Sequence, residues 1–156
     1  VRSKTAYDGA IPSGNSVAVM NMVKLTRITG NTKWAELAEK TIRAFSEDVN
    51  RTPTGYTLML TGFMFDTQNS KEIVIVGDSR NRNTIKFLHT IRTSYAPHKV
   101  LLFKDTSVSE NRLEQLANWT STQNSINGKP TAYVCKNFAC NQPTSDIQTA
   151  LSFINE

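Results

Sequence analysis

The sequence holds few of the residues that staple or ligate, with two cysteines and two histidines in 156 positions. Cys135 and Cys140 are spaced C-x-x-x-x-C, not as a C-x-x-C redox pair, and neither His89 nor His98 lies close enough in sequence to complete a four-ligand zinc site. No disulfide scaffold, metal or cofactor is therefore expected. Two cysteines in a chain of this size point to a reducing compartment, and a cytoplasmic location is the expectation. G-x-G-x-x-G and G-x-x-x-x-G-K are both missing, so no phosphate-cradling fingerprint is present. No stretch of about 18 uncharged apolar residues occurs, and the chain reads as soluble with no membrane partner. The material for a core is ordinary: 38% of residues are hydrophobic and 8% aromatic. A compact chain of this length buries roughly 68–70% of its unfolded surface. The first residue is Val1, and no charged region followed by an apolar one opens the chain. It reads as a piece of a longer protein, with the missing N-terminal part of its own chain as an expected partner.

The formal charge is +5, with a pI near 9.4, which could favour an anionic partner only if the cations cluster on one face. They are dispersed. Lys24, Arg27, Lys33, Lys40, Arg43 and Arg51 alternate with Glu36, Glu39, Glu47 and Asp48, and Glu36 with Lys40 has the helical i,i+4 spacing of a solvated face. Arg80, Arg82 and Lys86 are locally basic but lack interleaved aromatics, so no nucleic acid is expected.

The hydrophobic period changes near residue 70. Before it, Val17, Met20, Val23 and Met22, Leu25, Ile28 recur at helical spacing, and Gly30 is placed to end the helix in a left-handed conformation. Asn31 or Thr32 can cap a second helix striped by Trp34, Leu37, Ala38, Thr41, Ile42, Phe45 and Val49. After a break at 51–55 containing Pro53, residues 56–65 are apolar almost all round, which predicts a helix with faces that its neighbours cannot all cover. Beyond residue 70, the run Ile73-Val74-Ile75-Val76 predicts a strand buried on both faces, ended by Gly77. A helix over 83–94 carried by Thr84, Ile85, Leu88 and Ile91 or Arg92, a strand over 99–103, a helix over 111–119, a strand over 131–135 and a helix over 145–155 follow. The alternation implies a small, mainly parallel sheet of three strands with right-handed crossovers.

Two segments carry a family resemblance: Tyr7-Asp8-Gly9-Ala10-Ile11-Pro12-Ser13-Gly14-Asn15-Ser16 with the helix that ends in Thr29-Gly30, and Ala132-Tyr133-Val134-Cys135-Lys136-Asn137-Phe138-Ala139-Cys140. Together they resemble the YyaL-like family, which includes spermatogenesis-associated, thioredoxin-domain-containing proteins. The resemblance implies a longer protein, in which a thioredoxin-like domain is joined to an (α/α) toroid of the six-hairpin type found in glycosidases and N-acylglucosamine epimerases. On that reading the fold class is α + α/β. Residues 1–69 are the toroid's last helical hairpins, and 70–156 are a small α/β domain. If the fragment exists alone, its uncovered helix faces favour a homodimer.

The loop over Asp8 to Asn15 is the leading candidate site, because Gly9 and Gly14 permit tight backbone paths and Ser13, Asn15 and Ser16 lie where a helix presents free N–H groups. The resemblance makes Tyr7, Asp8, Ser13 and Asn15 substrate-binding candidates for a carbohydrate ligand, with Asp8 as the catalytic candidate. Glycoside hydrolysis ordinarily needs a second carboxylate, which would have to come from the missing part. Hydrolysis or sugar isomerisation follows from fold analogy alone. The rival reading is a non-enzymatic module that completes the toroid or mediates dimer contacts, with Asp8 organising the turn and Ser13 or Asn15 capping the helix. A weaker site is Asp78 with Ser79 at the end of the first strand, where a ribose or phosphate could bind, unless Asp78 or Asn81 simply caps the next helix. For the cysteines, a buried strand-end Cys135 and a small loop Cys140 stand against a redox or metal role across a dimer.

Overall fold

A computed structural model describes residues 4–68, 70–109 and 112–156. The order of elements is α1 (Gly14–Thr29), α2 (Thr32–Ala44), α3 (Ser46–Arg51), a 3₁₀ turn at Pro53–Gly55, α4 (Thr57–Thr67), β1 (Lys71–Gly77), α5 (Arg82–Thr93), β2 (Lys99–Asp105), α6 (Arg112–Leu116), a 3₁₀ turn at Asn118–Thr120, β3 (Thr131–Lys136), β4 (Ala139–Cys140) and α7 (Ile147–Asn155). The contacts divide the chain into two compact units. One takes residues up to Arg27 together with 31–69, and the other takes Ile28–Gly30 with 70–156.

Gly30 adopts φ +74° and ends α1 as its position in the sequence predicts. The Asn31 side chain then accepts from the Lys33 amide and caps α2. The stripe that was expected to run on to Val49 breaks at Phe45, which is not helical (φ −115°, ψ 9°) and separates α2 from α3. Ala6, Val19 and Met59 form the core, backed by Met22, Ile42, Phe45, Val49 and Tyr56. α1 and α4 approach closely because Gly62 has no side chain; a Cβ there would lie 2.9 Å from Val19 Cγ1. The all-round apolar α4 buries Met59, Gly62 and Phe65, whereas Phe63 and Met64 stay exposed.

The second unit is built on a four-stranded sheet of order β2-β1-β3-β4. This corrects the expected three-stranded, mainly parallel arrangement: β1 and β2 are parallel, but β3 runs antiparallel to β1, and β4 antiparallel to β3. Hydrophobic period does not encode strand direction, and the connection between Asp105 and Thr131 is long enough for either direction. That helix was expected over 111–119. Asn111 lies outside the described residues, and a 3₁₀ turn replaces its last part. β1 is central and buried along its whole length. Ile73 and Ile75 pack with Phe87, Ile91, Ala132, Val134, Ala150 and Ile154 on one face. Val74 and Val76 meet Leu102 and Ala117 on the other, with Leu113, Trp119 and Tyr133 alongside. On α5 the core residue is Phe87, and Ile85, which the period favoured, is exposed. Gly77 is required where α5 packs on β1, since a Cβ there would lie 2.8 Å from Thr84 Oγ1.

Candidate functional site

Asp8 is 8% exposed, and its carboxylate is taken up by the chain's own backbone. Oδ1 accepts from the Ser13 amide at 2.9 Å, closing the loop, and Oδ2 accepts from the amides of Leu58 at 2.9 Å and Met59 at 3.2 Å. The last two are orphan donors of the first turn of α4, whose own N-cap residue, Tyr56, makes no side-chain capping bond. Asp8 thus caps a helix fifty residues downstream, while its amide donates to Gly55 O at 2.7 Å. Burial pushes the pKa of this carboxyl up, but the bonds from the Ser13 amide, the Ser16 hydroxyl and the Met59 and Leu58 amides outweigh it and hold the group below the usual carboxylate range.

Ser13 caps α1 through its hydroxyl, which accepts from the Ser16 amide at 3.1 Å and donates to Ser16 Oγ at 2.8 Å. Asn15 donates from Nδ2 to Thr5 O at 2.6 Å and tethers the preceding segment. Tyr7 is 63% exposed; its ring meets Tyr56 edge-on at 6.1 Å and lies over Gly55, where a Cβ would stand 2.7 Å from Tyr7 Cε2. Asp8, Ser13 and Ser16 therefore form one bonded network. Asn15, with Gly14, borders an open groove of about 690 Å³ lined also by Lys4, Thr5, Leu37, Lys40, Thr41, Ala44 and Phe45.

The second candidate pair sits at the C-terminal end of β1, but its groups are engaged locally. Asp78 accepts from Arg80 at its amide (2.8 Å), Nε (3.0 Å) and Nη2 (2.9 Å), and the Arg80 side chain holds its carboxyl below the usual carboxylate range. The Ser79 amide donates to Asp105 Oδ1 at 3.1 Å, and its hydroxyl pairs with that of Ser107 at 3.2 Å. Asn81, not Asp78, caps α5. Asp105 also accepts from the Ser107 amide at 2.9 Å, and these bonds hold its carboxyl far below the usual range. Its role was not read from the sequence, where the only signal was an acid just past an apolar strand.

Two buried charges in the second unit were also missed. Lys104, on β2, donates from Nζ to the carbonyls of Thr120 (3.0 Å), Ser121 (3.1 Å) and Gln123 (2.7 Å) and pairs with Glu114 at 2.7 Å. Glu72, fully buried on β1, accepts from the Phe138 amide at 3.1 Å. The cysteines correct the expectation of unbridged thiols. Cys135 is buried near the end of its strand as anticipated, but it is joined by a disulfide to Cys140, its register partner on β4. Among the described residues no group of three or more His, Cys, Asp or Glu could hold a metal, and no helix is long and apolar enough to cross a membrane.

No protein-family model matches the sequence, and no solved structure matches it either. Curated relatives do. Human Spermatogenesis-associated protein 20 is 35% identical over 146 residues, covering 94% of this chain and 18% of the relative, and the rat protein of the same name is 33% identical over the same shares. An uncharacterized protein of Caenorhabditis elegans is 27% identical over 164 residues, covering all of this chain and 21% of the relative. The chain thus spans about a fifth of the length of the curated relatives it matches, and it is homologous to one region of Spermatogenesis-associated protein 20.

Proposed function

We propose that this chain is a structural, non-enzymatic part of a larger cytoplasmic protein of YyaL-like organisation. Its helical unit supplies the closing hairpins of an (α/α) toroid, and a thioredoxin-like domain lies elsewhere in the same protein. The observation that carries the reading is the state of Asp8. It is the one acid in the 7–16 loop, and both its oxygens accept from backbone amides of this chain, three in all, so the carboxylate is committed to holding the loop and the α4 terminus together. Leu37, Phe63 and Met64 are exposed apolar side chains on the same helical unit, which suits burial against further hairpins. The homology to one region of a protein about five times as long agrees with this.

A second reading keeps the carbohydrate ligand, because the groove beside Asn15 combines Lys4, Lys40 and Thr41 with an apolar floor of Leu37 and Phe45. The two readings separate in the full-length protein. Deleting this segment is expected to abolish the cooperative melt of the remaining helical part, and Asp8→Asn is expected to leave any saturable sugar binding unchanged. Sugar binding or turnover that disappears in a folded Asp8→Asn protein would overturn the structural reading in favour of the second.

A further inference from the structure

We propose that Cys135–Cys140 is a thiol–disulfide exchange site, in which Cys140 Sγ is the sulfur attacked by a dithiol reductant and Cys135 is the leaving thiolate. The assignment of roles rests on the asymmetry of the pair. Cys135 is fully buried in β3, whereas Cys140 is exposed on the two-residue strand β4 and borders an open pocket of about 280 Å³ lined also by Trp119, Gln123, Tyr133 and Phe138. Only one of the two sulfurs is open to approach. Exchange needs in-line access to that sulfur and a leaving group that can depart, and this geometry supplies the access at Cys140 alone.

The bridge also spans a conformationally loaded hairpin. β3 and β4 are joined by two residues, Asn137 at φ 51° and Phe138 at φ 63°, as a type I′ turn requires. Asn tolerates that conformation, but a bulky aromatic at the second position does so only when its surroundings hold it. Two contacts hold it: the Phe138 amide donates to buried Glu72, and the Phe138 ring meets Trp119 edge-on at 5.2 Å. The chemistry balances without further reagents. A thiolate of the dithiol attacks Cys140 Sγ, the S–S bond breaks and its electron pair goes to Cys135 Sγ. The second thiolate of the dithiol then displaces Cys140 from the mixed disulfide. The dithiol is oxidised to a disulfide, and its two protons end on the two cysteine sulfurs.

The test is made on the full-length native protein, with peptide mass spectrometry reading Cys135 and Cys140 individually. Dithiothreitol under folding conditions is expected to reduce the pair at least tenfold faster than global unfolding, after which iodoacetamide labels Cys140 at least tenfold faster than Cys135. Oxidised glutathione is expected to form an adduct on Cys140 in a Cys135→Ser protein and none on Cys135 in a Cys140→Ser protein. Reduction only at the unfolding rate would make the bridge a structural staple and overturn the proposal. So would preferential labelling of Cys135, or failure of the pair to oxidise in diamide.

Discussion

The carboxylate of Asp8 reaches the amide of Leu58 at 2.9 Å, so a residue of the N-terminal loop caps a helix whose sequence carries no capping residue of its own. Removing it should expose two first-turn amides of α4 and open the loop at Ser13. Loss of a capping side chain costs about 0.5–2 kcal/mol, and the third bond places Asp8→Ala at the upper end of that range. Urea denaturation followed by circular dichroism measures it. Asp8→Asn, which keeps one acceptor oxygen, should lose less.

The same carboxyl makes stability pH-dependent, and the sign is set by its lowered folded value. As pH falls, the unfolded chain takes up the proton first, so the stabilisation is complete above about pH 4 and is lost as acid brings the folded group through its own titration. The stability gap between the native chain and Asp8→Asn should therefore be widest near neutrality and narrow by pH 3. A gap that is constant over that range would show that the charge on Asp8 contributes nothing.

Lys104 offers a contrast between two partners of one ion pair. It is nearly fully buried and serves three carbonyls, whereas the Glu114 side chain is 39% exposed. Lys104→Met removes this donor from all three carbonyls, of which Thr120 O keeps the Gln123 amide, and should cost roughly 3 kcal/mol, in line with breaking a buried charged pair. Glu114→Gln should cost less than about 1 kcal/mol, because its end of the pair is solvated. Chemical denaturation of the two variants side by side distinguishes them.

Gly77→Ala tests the packing of α5 on β1. The added methyl would meet Thr84 Oγ1 at 2.8 Å, Thr84 Cγ2 at 3.1 Å and the Pro130 backbone at 3.4 Å. Overpacking of this kind costs about 1–3 kcal/mol. Combining it with Thr84→Ser, which removes the Cγ2 methyl, should recover part of the loss in the same melt.

Much of the local structure was legible because it follows from local rules. Gly30 and Asn31 mark the end of α1 and the start of α2 through backbone freedom and a side-chain acceptor, and the β-branched run at 73–76 announces a buried central strand. The direction of β3 and the existence of β4 were not legible. A strand's residues look alike whichever way it runs, and Ala139–Cys140 is too short to show any period. At the candidate site, Tyr7, Asp8, Ser13 and Asn15 stood out as residue types able to bind a ligand. Whether a carboxylate faces a ligand or a backbone amide fifty residues away depends on a contact that no local pattern contains.

The sequence by itself determined where α1 ends and α2 begins, that the run at 73–76 is a buried strand, and that the cations are spread among acids. These depend on residues within a turn or two of each other. Tertiary structure alone decided that Asp8 caps α4, that Lys104 and Glu72 are buried with partners, and that Cys135 and Cys140 come into register across a type I′ turn. The reason is physical: the stabilisation of a buried charge or a bridged thiol comes from groups that chain folding brings within bonding distance, and their separation along the sequence carries no trace of it.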